Sequence, residues 1–417
     1  MQKGNKFRIY PNNEQRIILE KHFGSCRFVH NKLLGVKQTL YDKFRSNISE
    51  FELNGHLLIL KECYPWLNET HGAALQQSNK NLHRAYKNFF DGRADFPKRQ
   101  TKKDNHQSYQ LPQYYKINIV TNEIYIPKVG WIKIKLHKEL FDFNFFVHHI
   151  EITETENDII IEQAKNSKYL KTLTVSRTPT GKYFVSILTN DQKENIPTQY
   201  FDKATTIGID VGIKTFAAFS NGESVESPKF LKKSLKKLKH LQRSVSRKVK
   251  GSSNRKKAVK LLAKCYEKIT NQRHDFQHKL SIQLIRDNQA VAIEDLNIKG
   301  MLKNHHLAQA ISDSAWSSFV NKLYYKAEWF GKTVLKIGRF EPSSKTCSIC
   351  GYYKKDLTLD VREWQCPDCK TIHDRDINAA INIKQFALNN LATAGRGVVD
   401  SLTLVKGMKQ EALKSLA

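Results

Sequence analysis

Residues Cys347–Ile383 read CSICGYYKKDLTLDVREWQCPDCKTIHDRDINAAINI. Cys347 and Cys350 form one CxxC pair, Cys366 and Cys369 a second, and fifteen residues separate them. That is the spacing of a four-thiolate zinc site. Each pair can fold into a knuckle that aims two sulfurs at one point, and Gly351 after the first pair suits such a turn. A redox CxxC does not need a second pair at this distance, so structural Zn2+ is the expected ligand. His373 is surplus once four thiolates are present.

Just beyond the last cysteine, Asp376, Ala380 and Ile383 recur at i, i+4 and i+7 and share one helical face. Asp376 therefore points where apolar side chains point. A carboxylate there needs a partner, and a metal ion is one. Ala379 and Ala380 are small enough for close packing on a sheet, and Asp374 suits the N-cap.

Two upstream acids are candidates to join Asp376. TTIGIDVGIKTFAAFSNGE (205–223) reads as strand, turn, strand, with Asp210 inside the first apolar strand and a turn at Asn221-Gly222. NQAVAIEDLNIKGM (288–301) holds a buried strand through Val291 and Ile293, with Glu294 at its end. Hairpin strands, a basic insertion, a strand, a helix, a strand and a final helix are compatible with a ribonuclease-H-like layer of sheet and helices. Three converging carboxylates can hold two divalent ions astride a scissile phosphate, one activating water and one stabilising the leaving oxygen. Mg2+ suits all-carboxylate ligation.

The chain has 417 residues, 40% of them hydrophobic, and a net charge of +29. Two to four domains are expected, and so strong a positive charge implies a polyanionic partner, nucleic acid before membrane. No apolar run approaches about 18 residues, and Met1–Asn12 lacks the apolar core of a signal peptide. Cytoplasm or nucleoid is the expected setting. Cys26, Cys63 and Cys265 read as buried small residues.

KFRIYP (6–11) reads as a strand, and helical periodicity follows to Phe90. Within HGAALQQSNKNLHRAYKNFF (71–90), Leu75, Leu82 and Tyr86 form the apolar face. Gln76, Gln77, Ser78, Asn81 and Arg84 lie on the others; amides there could read base edges, although a solvated face is the plainer reading. The loop DGRADFPKRQTKKDNHQSYQ (91–110) carries Lys98, Arg99, Lys102 and Lys103, which suit a phosphate backbone or plain exposure. From 108 to about 200 alternating strands suggest a small β-rich domain, barrel-like, to which the N-terminal strand could return. Tyr109, Tyr114, Tyr115 and Trp131 there would suit RNA or an ordinary core. Residues 229–279 hold 18 Lys or Arg against Glu267 and Asp275, a net +16. They read as a basic helical hairpin packed through Leu235, Leu238 and Leu241, and that much like charge favours nucleic acid nearby. The final helix is expected to fade after Ile383.

On KFRIYPNNEQ, ALQQSNKNLHRAYKNFF, IGIDVGIKTFA, AIEDLNIKGM, SSKTCSICG and CPDCKTIHDRDINAAINI, the chain resembles the TnpB family, the OrfB proteins of IS200/IS605 and IS607 insertion elements and relatives of the Cas12 nucleases. The likeness covers nearly the whole chain, and the zinc unit with DRDINAA is its most specific part. It implies an RNA-guided DNA endonuclease with a split RuvC domain whose acids are Asp210, Glu294 and Asp376. It implies a wedge domain at 1–10 and 108–202, a recognition lobe at 11–107, a RuvC-like domain at 203–345 and 372–390 carrying the insertion 229–279, a zinc unit at 346–371, and a flexible tail at 391–417. The expected partners are a guide RNA made from the element end, one protein per RNA, and target double-stranded DNA beside a short motif, which Gln77, Ser78 and Asn81 would help to read.

The rival readings are a DDE-like transposase and a nuclease-inactive guided regulator. A DDE enzyme normally ends its triad in Glu, without four cysteines before it. A tyrosine-type transposase needs two histidines flanking one residue, whereas His148-His149 and His305-His306 are adjacent. The intact acids disfavour the regulator.

Overall fold

The computed structural model describes residues 2–103, 107–138, 152–155, 158–162, 170–190, 196, 198–358 and 360–393. The chain divides into two compact units, one spanning Met1–Glu194 and the other beginning at Asn195.

In the first unit, strand β1 (Gln2–Tyr10) gives way at Pro11 to helix α1 (Asn13–Phe44). Asn12 and Gln15 form a reciprocal capping box, each side chain accepting the other's backbone N–H at 2.8 and 3.0 Å. Helices α2 (Glu50–Cys63) and α3 (Gly72–Phe90) follow. The strands are β2 (Gln107–Leu111), β3 (Lys116–Asn118), β4 (Glu123–Ile126), β5 (Gly130–Lys135), β6 (Ile152–Thr155), β7 (Asp158–Glu162), β8 (Leu170–Arg177) and β9 (Tyr183–Asn190). With β1 they make one sheet in the order β2-β8-β9-β1-β5-β4-β3-β7-β6. The N-terminal strand does return to this sheet, antiparallel between β9 and β5. Among the described residues β2 and β6 are edges, so the barrel-like sheet stays open. Helices and strands share one core, in which Leu19, Leu33, Leu75 and Leu82 meet Phe7, Tyr109, Val185 and Ile187. Tyr109 and Tyr115 belong to the core, while Tyr114 and Trp131 are exposed. Ile17 is exposed although it falls in a helical apolar pattern.

The second unit is built on strands β10 (Thr206–Val211), β11 (Thr215–Phe219), β12 (Ser224–Glu226), β13 (Ala290–Glu294) and β14 (Thr333–Ile337), ordered β12-β11-β10-β13-β14. The hairpin strands are antiparallel, and β10, β13 and β14 run parallel. Helices α4 (Phe230–Ser246) and α5 (Ser253–Asp287) form the basic hairpin, turning at Gly251 and capped by Ser252. Its apolar seam is Leu238, Cys265 and Ile269, with Leu241 half-buried. Short helices α6 (Ile298–Met301) and α7 (Ala308–Ser314) lead into α8 (Trp316–Phe330). Strands β15 (Glu363–Gln365) and β16 (Ile372–Asp374) pair within the cysteine unit, and α9 (Arg375–Thr393) closes the described chain.

Strand alternation sorts the two faces of this sheet. Ile207, Ile209, Val291 and Ile293 face α5 and α8 through Leu284, Ile285, Phe319 and Leu323. Gly208, Ala290 and Ala292 face the other way, where Ile383 and Ala387 of α9 pack. Small residues let the helix lie close. A Cβ on Gly208 would lie far inside contact distance of the Ala380 carbonyl oxygen, and 2.9 Å from Lys384 Cβ and N. Gly208 is thus required by α9. The helix does not fade at Ile383 but continues to Thr393, because Ala387 carries its apolar stripe onward. Of the expected tail at 391–417, residues 391–393 are the last of this helix, and 394–417 lie outside the described residues. Cys26 and Cys265 are buried as expected, but Cys63 is exposed at the end of α2. No described helix is long and apolar enough to cross a membrane.

Candidate active site and metal centre

The cysteine unit forms two matching knuckles. Gly351 N–H donates to Cys347 O at 2.9 Å and Lys370 N–H to Cys366 O at 3.0 Å. Both donors adopt positive φ, +77° and +61°. Glycine does so without strain, whereas Lys370 is held there by the turn. Cys347, Cys350, Cys366 and Cys369 present four sulfurs that all lie within 4.8 Å of one another. A tetrahedral thiolate site has Zn–S near 2.3 Å, so these four donors fit Zn2+. His373 Nε2 lies 3.0 Å from Cys347 Sγ and its ring lies against Trp364. It supports the thiolate shell from outside.

The same unit aims α9. Asp374 Oδ1 accepts the N–H groups of Asp376 and Ile377, both at 2.9 Å, and is the N-cap. Buried Asn378 accepts from Ser348 N–H at 2.9 Å and donates to Thr346 O at 2.8 Å. Asn382, one turn on, donates to Ser343 O at 2.7 Å and Thr346 O at 2.6 Å.

Ile209 and Ile293 are register partners on β10 and β13, and one residue further on stand Asp210 and Glu294. By parity both lie on the α9 face of the sheet. Asp210 feels the negative charge of both Glu294 and Asp376. Burial first, and then those two carboxylates, push its pKa up to about 8, against the opposing pull of Arg375 and Arg362. Burial also raises Glu294, although a Ser343 hydrogen bond opposes the shift. Asp376 pairs with Arg362, which reaches both its oxygens at 3.0 and 3.1 Å. Among the described residues the four cysteines form the one group of three or more possible ligands gathered this tightly. The hard oxygen donors and mutual repulsion of the three carboxylates fit divalent cations.

In the first unit, Gln77 Nε2 donates to Asn81 Oδ1 at 3.1 Å and Gln110 Oε1 at 3.3 Å, and Asn81 Nδ2 to Gln110 Oε1 at 3.1 Å. Ser78 is different: its hydroxyl donates to Cys26 O at 2.8 Å and ties α3 to α1. Lys98, Arg99, Lys102 and Lys103 are exposed; the loop's residues 104–106 lie outside the described residues.

Arg362, Ser343 and Gln110 were not singled out by sequence reasoning. Arg362 lies between the CxxC pairs in a run of mixed polarity, Ser343 in EPSSKT, and Gln110 on an edge strand. Only the fold brings them to the acids or the amides.

The fold is shared with the Cas12f1 chain of a cryo-EM Cas12f1-sgRNA-target DNA complex: TM-score 0.56 at 14% identity, over 92% of this chain and 98% of that one. A family model described as "Cas12f1-like, TNB domain" matches residues 316–383, the stretch that contains the cysteine unit. The class is therefore that of the Cas12-type fold with a four-cysteine unit.

The OrfB_IS605 model, described as "Probable transposase", matches residues 187–305, and a "Helix-turn-helix domain" model of the same family matches 1–46. There the chain forms β1 and the single helix α1. A "Putative RNA-guided DNA endonuclease" of Streptomyces pristinaespiralis is 37% identical over 91% of this chain and 87% of its own length. InsQ of Escherichia coli K12, described in the same words, is 28% identical over 91% and 90%. This chain belongs to the TnpB family of OrfB proteins.

Proposed function

We propose that the protein is an RNA-guided DNA endonuclease whose RuvC-like site is Asp210, Glu294 and Asp376. The observation that carries this reading is the electrostatic coupling of Asp210 to Glu294 and Asp376, acids drawn from three distant segments. The relatives' described activity and the net charge of +29 support it. Asp210, Glu294 and Asp376 would hold divalent metal, with Mg2+ the natural choice for all-oxygen donors. Such ions, when bound, supply an activated water and offset charge on the scissile phosphate. Burial and the neighbouring acids favour the protonated form of Asp210 at neutral pH, so a divalent ion held there would displace that proton. Arg362, 47% exposed at its side chain, sets positive charge beside Asp376 where a phosphate would approach.

The four thiolates hold structural Zn2+ and keep the start of α9 in register with the sheet. A guide RNA, made from the element end, reads the target by base pairing, one protein to each RNA. Gln77, Asn81 and Gln110 form an amide cluster able to read base edges of an adjacent motif. Lys98, Arg99, Lys102 and Lys103 meet phosphate.

The test is purification from cells carrying the element, sequencing of the bound RNA, and guided cleavage in Mg2+. A discrete RNA and cuts that vanish in Asp210→Asn, with target binding kept, are expected. No discrete RNA, or full-rate cutting by Asp210→Asn, refutes the reading. A strand-transfer assay on element ends separates it from transposition.

A further inference from the structure

Ser343 is 5% exposed, and its hydroxyl donates to Glu294 Oε1. It lies on the segment that joins β14 to the cysteine unit. β14 pairs with β13, with Ile337 opposite Glu294, so this segment leaves the sheet at the level of the acid. The segment is then held at several points. Gly338 N–H donates to Glu341 Oε1 at 3.1 Å, and Ser343 N–H to Glu341 O at 2.8 Å. Asn390 of α9 donates to Glu341 Oε1 as well, at 2.9 Å. Thr346 N–H closes a turn on Pro342 O at 3.1 Å.

The decisive tie is Asn382. It is 1% exposed, and its amide donates to Ser343 O and Thr346 O. Asn382 sits on α9, the helix that begins with Asp376. A continuous set of hydrogen bonds thus runs from that helix through Asn382 and Ser343 to the Glu294 carboxylate. Glu294 ends its strand and has two side-chain torsions before its carboxyl plane, so the strand alone does not orient it. The Ser343 hydroxyl takes one of its oxygens and leaves the other for a ligand.

We infer that Ser343 is a positioning residue for Glu294, and that Asn382 makes this positioning depend on the seating of α9. The inference rests on the proposed nuclease reading, since it assigns Ser343 to the metal-holding geometry of that site. A carboxylate that ligates metal is commonly steered by a neutral hydrogen-bond donor on its other oxygen, and loss of that donor costs about 10- to 100-fold in metal affinity or activity. Threonine carries the same hydroxyl and alanine none.

The experiment compares wild type, Ser343→Ala, Ser343→Thr and Glu294→Gln, each as full chain with its co-purified RNA. Mn2+ binding is read from the EPR signal of the free ion, and cleavage, target binding and zinc content are measured alongside. Ser343→Ala is expected to weaken Mn2+ binding by about 10- to 100-fold, to recover part of its cleavage at raised metal, and to keep zinc and target binding. Ser343→Thr should restore Mn2+ binding to within a few-fold. Wild-type Mn2+ binding in Ser343→Ala, with Glu294→Gln inactive, overturns the inference and leaves the nuclease reading standing. Loss of zinc or of target binding in Ser343→Ala also overturns it, since the serine would then serve the fold. Full cleavage by Glu294→Gln overturns the nuclease reading itself.

Discussion

Replacing Gly208 by alanine tests how the sheet and the last helix meet. The added methyl would collide with the Ala380 carbonyl and sit 2.9 Å from both Lys384 Cβ and Lys384 N. Carbon atoms rest about 3.5–4.0 Å apart, so α9 would have to retreat by about 1 Å. Neither partner can yield as a flexible side chain does, because both are helix backbone or attached to it. Overpacking of this kind costs about 1–3 kcal/mol, occasionally more.

The functional cost should be larger than the stability cost. Asp376 rides on α9, and Asp210 lies two residues from Gly208 on β10. A retreat of the helix widens the gap between these acids directly. Misplacement of reacting groups by about 1 Å can lower a rate about 100-fold. Guided cleavage by Gly208→Ala should therefore fall by about that factor in single-turnover assays, while RNA content and target binding stay near wild type. Thermal unfolding should show the second unit weakened. Wild-type cleavage together with wild-type unfolding would refute the close packing inferred for β10 and α9.

Three further outcomes follow from named contacts. The folded protein holds a proton on Asp210 up to about pH 8, whereas the unfolded chain releases it near the ordinary carboxylate pKa. Folding stability in Mg2+-free buffer should thus fall as pH rises from the carboxylate range through about 8, and added Mg2+ should flatten that slope in melting curves. Arg362→Ala should leave stability within about 1 kcal/mol, since the pair is partly exposed, yet slow cleavage; equal rates would remove Arg362 from the site. Removing zinc with a thiolate-reactive reagent should release one equivalent by colorimetry and abolish cutting, because the knuckles that aim Asp376 lose their tether.

What could be read from the residue order, and what could not, divides along a physical line. The two CxxC pairs are local signals: ligand spacing within a knuckle depends only on nearby backbone. The Asp374 cap is local too, and the structure shows it accepting two N–H groups as expected. Strand parity was also present in the order of residues. Ile207, Ile209, Val291 and Ile293 share one parity; Gly208, Asp210, Ala290, Ala292 and Glu294 share the other. Small residues alternating with large ones mark the face against which a helix lies close, and both sheet acids fall on that face.

The contacts that tune those acids are not local. Arg362 reaches Asp376 across the β15–β16 hairpin, and Ser343 reaches Glu294 only because β14 runs parallel to β13. Gln110 meets Gln77 and Asn81 through the packing of β2 under α3. Ser78, expected beside the amides as a base contact, donates its hydroxyl proton to Cys26 O on the neighbouring helix, a tie that residue type alone does not reveal. A side chain's chemistry is written in its type, but its free valence is set by what the fold leaves unpaired. For this reason the three acids could be proposed as a group from the sequence, whereas the side chains that contact them emerge only from the tertiary contacts.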